Sequence, residues 1–234
     1  MKKILFLMLG LILLVPLVAC GQTVSADVLQ SSKPRETAPA VSQSDMTTLA
    51  AGNNAFAFNL YQSLKNTDGN LFYSPYSISE ALAMTYGGAR GNTEKQMAST
   101  LNFLLSQSQL HPAFNNLDQQ LSKRGQSAKG TDSKGFRLHV TNAIWGQIDF
   151  PFLPAFLDIL AQNYGAGLRV LDFKQSPEPS RLKINQWVSD QTEQKIQDLL
   201  PSGSITPLTR LVLTNAIYFN AAWASQFQAL LFQM

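Results

Sequence analysis

The chain has 234 residues, 45% apolar and 14% charged, with 18 basic side chains against 15 acidic ones. That is enough for one sizeable core and excludes disorder of the whole chain. One cysteine excludes an intrachain disulfide framework and a multi-cysteine zinc site, and with His111 and His139 the only histidines, neither a metal centre nor a cofactor is expected. Two of the three surplus positive charges are Lys2 and Lys3, in a segment that reads as removable, so the remainder is nearly neutral and carries no basic run that would mark a nucleic-acid partner.

The two lysines precede Ile4 to Ala19, sixteen uncharged residues. This is shorter than the 18 or so needed to suggest a membrane span and fits a secretory signal. It ends Leu17-Val18-Ala19-Cys20-Gly21, which resembles the bacterial lipobox, so residues 1–19 are expected to be a lipoprotein signal peptide and Cys20 the lipidation site. The resemblance implies an exported protein, lipid-anchored at the cell envelope or extracellular surface. Residues 20–45 are rich in Ser, Thr and Ala and carry Pro34 and Pro39 without helical periodicity, so they read as a flexible spacer.

Leu49, Phe56, Leu60 and Leu64 share a helical face and predict a helix over about 47–65, ended by Asn66-Thr67-Asp68-Gly69-Asn70. A short strand is expected at 71–73. Ser74-Pro75 then opens a second helix with buried stripe Ile78, Ala81, Leu82 and Thr85, stopped by Gly87-Gly88. Thr93 and Gln96 suggest a capping box for a third helix, with Met97, Leu101 and Leu104 inward. Leu110, Phe114, Leu117 and Leu121 mark a fourth.

At Phe136 the period changes to two, predicting a long strand over 136–146. A helix over 152–163, a strand over 168–173 and a helix from Pro177 to near Leu200 follow, the last with Ile184, Trp187, Val188, Ile196 and Leu199 inward. The uncharged, β-rich run Leu211 to Phe219 reads as a central strand covered on both faces. Helices come first and long strands later, so alternating βαβ units are not supported and an α+β domain over 46–234 is expected.

No catalytic constellation emerges, and the protein is not expected to be an enzyme. Neither histidine has a G-x-S-x-G elbow nearby, and each is read as a surface or hydrogen-bonding residue. The glycines at 87–91 and 165–167 lack the strand-to-helix setting of a phosphate cradle. Asp172 with Glu178, and Asp190 with Glu193, read as solubilising pairs. Two features ask for more: Asn215 sits in mid-strand, where a buried amide needs partners, and Ser74 and Ser77 place hydroxyls at a helix start.

The run Asn70-Leu71-Phe72-Tyr73-Ser74-Pro75-Tyr76-Ser77-Ile78-Ser79-Glu80-Ala81-Leu82-Ala83-Met84, followed by Gly87-Gly88-Ala89-Arg90-Gly91-Asn92-Thr93, resembles the serpin family of serine protease inhibitors. So do Thr141-Asn142-Ala143-Ile144-Trp145, Ile184-Asn185-Gln186-Trp187-Val188 with Thr192, Lys195 and Ile196, and Leu213 to Phe219 with Trp223 and Phe227. The four blocks stand in the family's order and cover about 46–227. The resemblance implies a serpin-like fold, N-terminal helices with part of a large central sheet, in which residues 136–146 and 209–220 are neighbouring strands crossed by the helix at 178–198.

It further implies inhibition by a conformational trap: a serine protease, the expected partner, cleaves an exposed loop that then inserts into the sheet and distorts the enzyme. Ser74, Ser77 and Asn215 match the family's shutter and Trp223 its breach. Asn185 matches the front helix's buried polar contact with the sheet. The insertion loop and later strands are not found in this sequence, whose end, Ala229 to Met234, departs from the pattern. The expectation is a domain lacking its C-terminal part, with no reactive loop, an uncovered apolar edge and no inhibitory activity alone. The alternative is a non-inhibitory lipoprotein using the scaffold for binding.

Overall fold

The computed structural model describes residues 26–124 and 136–221. In chain order these form β1 (Asp27–Leu29), α1 (Gln43–Leu64), α2 (Pro75–Tyr86), α3 (Gly91–Leu101), α4 (Gln107–Ser122), β2 (Arg137–Gln147), α5 (Pro154–Tyr164), β3 (Leu168–Leu171), α6 (Pro177–Gln191) and β4 (Leu211–Asn220). The described strands make one mixed sheet in the order β1-β3-β2-β4. β2 and β4 pair antiparallel over a long ladder, from Arg137↔Asn220 to Gly146↔Leu211. β2 and β3 run parallel, which requires a crossover, and α5 supplies it. One βαβ unit is therefore present where the order of elements had argued against alternation.

Side chains alternate across the sheet. Ala143, Trp145 and Val212 point to α6, where they meet Ile184, Trp187 and Phe173. Ile144 and Leu213 point the other way and join Met84 of α2, Leu160 of α5, Leu168 and Val170. α2 lies between this face and a helical cluster built from Leu49, Phe56, Tyr86, Phe103, Leu110 and Phe114. Enclosed on both sides, it buries Ser77, Ser79, Glu80, Ala81, Ala83, Met84 and Tyr86. Of the expected stripe only Ala81 is buried, while Ile78, Leu82 and Thr85 are half-buried, because a helix enclosed between two layers does not bury a single stripe.

Several boundaries move for local reasons. α1 begins at Gln43 because Ser42 accepts from the Asp45 amide (3.0 Å) while the Asp45 carboxylate accepts from the Ser42 amide. The expected Thr93–Gln96 box is not formed: α3 starts at Gly91 (φ +63°) with no side-chain cap, and Leu104 lies beyond the helix, 64% exposed. Residues 71–73 form no strand. α6 stops at Gln191 rather than near Leu200, since the Thr192 hydroxyl turns back to the Val188 carbonyl (2.8 Å) and Glu193 and Gln194 take left-handed φ of 49° and 60°. β4 packs side chains on both faces, Val212 toward α6 and Leu213 toward α2, but is not the central strand expected. Among the described residues it is an edge strand in which only Thr214 and Ala216 are buried.

The largest correction concerns the expected spacer. From Ala26 onward it is packed on the domain. β1 pairs antiparallel with β3 (Val28↔Arg169, Leu29↔Leu168), and the chain then runs over α5 and α4. There the Glu36 amide donates to the Gln162 carbonyl (2.9 Å), and the Asn115 amide donates to the Glu36 carbonyl (2.7 Å). Composition had pointed to a linker, but an extended strand needs no periodic apolar face when its backbone finds an open sheet edge. The expected signal peptide, Cys20 and Trp223 lie outside the described residues.

Candidate functional site

Beneath the β2–β4 ladder, polar side chains gather where the sheet meets α2. Ser74 caps that helix, its hydroxyl accepting from the Ser77 amide (3.3 Å), and Pro75 fits the first turn. This fixes Ser77 under β4. Asn142 and Asn215 are directly paired across the ladder and so share the sheet face that looks at α2. The Asn215 amide reaches the Ser77 carbonyl (3.0 Å), the Ser77 hydroxyl and Asn142 Oδ1 (2.6 Å). Asn142 in turn donates to Glu80 Oε2 (3.0 Å), and the Tyr76 hydroxyl donates to Glu80 Oε1 (3.1 Å).

Glu80 is the charged residue at the centre of this chain of bonds, and it is 6% exposed. Burial, reinforced by the nearby Asp118 carboxylate, pushes its pKa up to about 7 against the opposing pull of Tyr76, Arg35 and Asn142. Burial, followed by the Glu80 and Asp118 carboxylates, pushes the Tyr76 phenol up as well. A cavity of about 200 Å³ lies alongside, lined by Arg35, Glu80, Asp118, Asn142 and Tyr164 among others. At its far side His111 Nδ1 meets the Tyr164 hydroxyl at 2.7 Å. His111 is buried, which lowers its pKa to about 4 and keeps the ring neutral; of its two expected roles it has the hydrogen-bonding one.

Ser74, Ser77 and Asn215 are therefore brought together. Asn185 is not part of the group, and the hydrogen bonds it makes among the described residues go to the segment after α6 rather than to the sheet. Its amide donates to the Leu200 carbonyl (2.9 Å) and its carbonyl accepts from the Leu200 amide (2.8 Å), pinning the segment after α6; Ile184, Trp187 and Val188 make α6's contact with the sheet. Asn185→Ala is expected to cost about 1–3 kcal/mol in urea denaturation, with faster hydrogen exchange confined to residues 198–202.

Three members of the network were missed in the sequence: Glu80, Tyr76 and Asn142. A signal existed for two. Asn142 precedes Ile144 by two residues in a strand and so shares its inward face, and Glu80 follows Ser77 by three in a helix. Elsewhere at the sheet, Trp145 Nε1 donates to the Thr214 hydroxyl (3.1 Å), and the Arg169 guanidinium stands 5.5 Å from the Trp145 ring and 5.0 Å from the Trp187 ring. No catalytic pairing of nucleophile and base accompanies these contacts among the described residues.

A helix-backed sheet with its polar cluster under the β2–β4 pair is what the four sequence blocks imply. The family model described as serpin (serine protease inhibitor) matches residues 51–234. This chain belongs to the serpin family. It is 41% identical over 184 residues to the leukocyte elastase inhibitor of Homo sapiens, covering 78% of this chain and 46% of that protein. To serpin B6 of Pongo abelii it is 43% identical over 185 residues, covering 78% and 47%. Emu (Dromaius novaehollandiae) ovalbumin superposes with a TM-score of 0.68 at 28% identity over 77% of this serpin chain and 49% of ovalbumin. This serpin chain spans about half the length of the curated relatives it matches.

Proposed function

We propose that this chain forms the gate-bearing N-terminal part of a serpin-type inhibitor of serine proteases, exported and held at the cell envelope by lipid on Cys20. The observation that carries the inhibitory reading is the polar network under β4. In this reading the inserting strand adds beside β4, which with β1 is one of the two edges of the described sheet, and the Asn215–Ser77 bonds tie β4 to α2 directly below. Such a trap releases strain by adding a strand, so the bonds that hold the edge set when it opens. The relatives named as elastase inhibitors support the same activity. The lipobox-like residues 17–21 support the anchor.

On this reading the 234-residue chain tested by itself is expected to form no covalent complex with a protease. The test pairs it with a version extended by the second half of the human leukocyte elastase inhibitor, both incubated with chymotrypsin-like serine proteases and run on denaturing gels. An SDS-stable adduct of the extended chain only is the expected result. An adduct of the short chain would contradict its inactivity, and none from either would favour a non-inhibitory binding scaffold.

A further inference from the structure

The segment that joins Cys20 to the domain is docked over residues 27–36. Beyond the β1–β3 ladder, Lys33 Nζ pairs with Asp158 at 2.7 Å, and the Ser31 hydroxyl bonds the same carboxylate. Arg35 donates from Nε to Asn115 Oδ1 (2.9 Å) and from Nη2 to Asp118 (2.6 Å). The domain leaves room for the segment at two glycines: a Cβ at Gly167 would lie 2.3 Å from the Val28 side chain, and one at Gly165, where φ is +58°, 2.9 Å from Arg35 Cδ. Contacts on β3, α5 and α4 together make a strap.

We infer that this strap is the fixed end of the membrane tether and that it holds the β1–β3 edge of the sheet toward the lipid surface. The inference rests on the reading of Cys20 as acylated. Docking at Asp27 leaves seven residue steps from Cys20, at most about 25 Å of extended chain; an undocked segment reaching to Gln43 would allow about 80 Å. The strap therefore decides which side of the domain faces the envelope and keeps it close. β4, at the opposite edge of the described sheet, is turned outward, where a protease in solution has access to it.

The test uses the full chain, made with its leader in a host that processes lipoproteins and placed in phosphatidylethanolamine–phosphatidylglycerol vesicles. Mass spectrometry first reads the N-terminal peptide for acylated Cys20. Energy transfer is then measured from a donor on exposed Ala155 (introduced as Ala155→Cys) to acceptor lipids, with hydrogen exchange of residues 26–36 in parallel. Two variants release the strap from opposite sides: Lys33→Glu with Arg35→Glu, and Gly167→Val. The expected result is protected amides at 26–36 in the parent, loss of that protection in both variants with β2–β4 amides still protected, and a fall in transfer of at least about twofold. Unmodified Cys20 would overturn the anchor reading and the orientation with it. Acylated Cys20 with unchanged transfer after strap release, or with residues 26–36 unprotected in the parent, would overturn the orientation alone. If either variant fails to fold, the other decides.

Discussion

Glu80→Gln is expected to reverse its effect on stability with pH, lowering it by about 1 kcal/mol below pH 4.5 and raising it by about 2 kcal/mol above pH 7. The sign follows from proton counts. Burial raises the folded pKa of Glu80 from 4.5 to about 7, so between these values the unfolded chain has released a proton that the folded chain still holds. Stability falls as pH rises through that window, by roughly 3 kcal/mol in all at 1.36 kcal/mol per pKa unit. Glutamine removes that loss. It gives up about 1 kcal/mol at every pH, because the amide nitrogen that replaces one carboxylate oxygen donates and leaves a single oxygen to accept from Tyr76 or Asn142.

His111 works in the opposite sense. Its folded pKa, lowered to about 4 by burial, lies below the ordinary 6.5, so the unfolded chain binds the extra proton and stability rises with pH across that interval. In the parent the two slopes offset each other between pH 4.5 and 6.5. Glu80→Gln should uncover the histidine slope, visible in urea titrations at pH 4, 5, 6 and 8. A variant whose stability stays flat between pH 4.5 and 6.5 would show that these two groups do not govern the profile.

Asn215→Ala is expected to cost about 2–3 kcal/mol, larger than an ordinary side-chain hydrogen bond, because it leaves the Ser77 carbonyl, the Ser77 hydroxyl and Asn142 Oδ1 short of a donor together. Asn142→Ala should cost a similar amount, since it also strips Glu80 Oε2 of its partner. The double variant should cost less than the two singles added, by about 1 kcal/mol or more, as residues sharing one network are not independent. Denaturant unfolding of all four proteins measures this coupling. Additivity would mean that the two amides act separately and that the network is not a unit.

The reading of Ser74, Ser77 and Asn215 was available early because each breaks a local pattern: hydroxyls before a proline, an amide inside an apolar strand. Glu80 breaks no such pattern, and its spacing of three from Ser77 is the one hint of its position. A carboxylate beside the apolar stripe of a helix ordinarily lies at the solvent boundary, and only the stacking of α2 between sheet and helices makes its position an interior one. Asn185 shows the reverse case. Its burial was implied by the family resemblance, but not its partner, because Leu200 comes back to it through the left-handed turn at Glu193 and Gln194.

Local chemistry sufficed for most of the helices and for the long β2 and β4 strands, since periodicity of 3.6 or 2 is carried by neighbouring residues, whereas the pairing of β2 with β4 was implied only by the family resemblance. Which elements became edges and which became interiors was decided by contacts between distant parts. Residues 26–36 have the composition of a linker and are a strap because β3 offers them an unfilled ladder and Asp118 and Asp158 offer them charge. Glu80 has the composition of a surface and is a buried acid because two layers close over it. Periodicity reports the environment of a residue relative to its own neighbours; open ladders and closing layers exist only once the chain has folded back on itself.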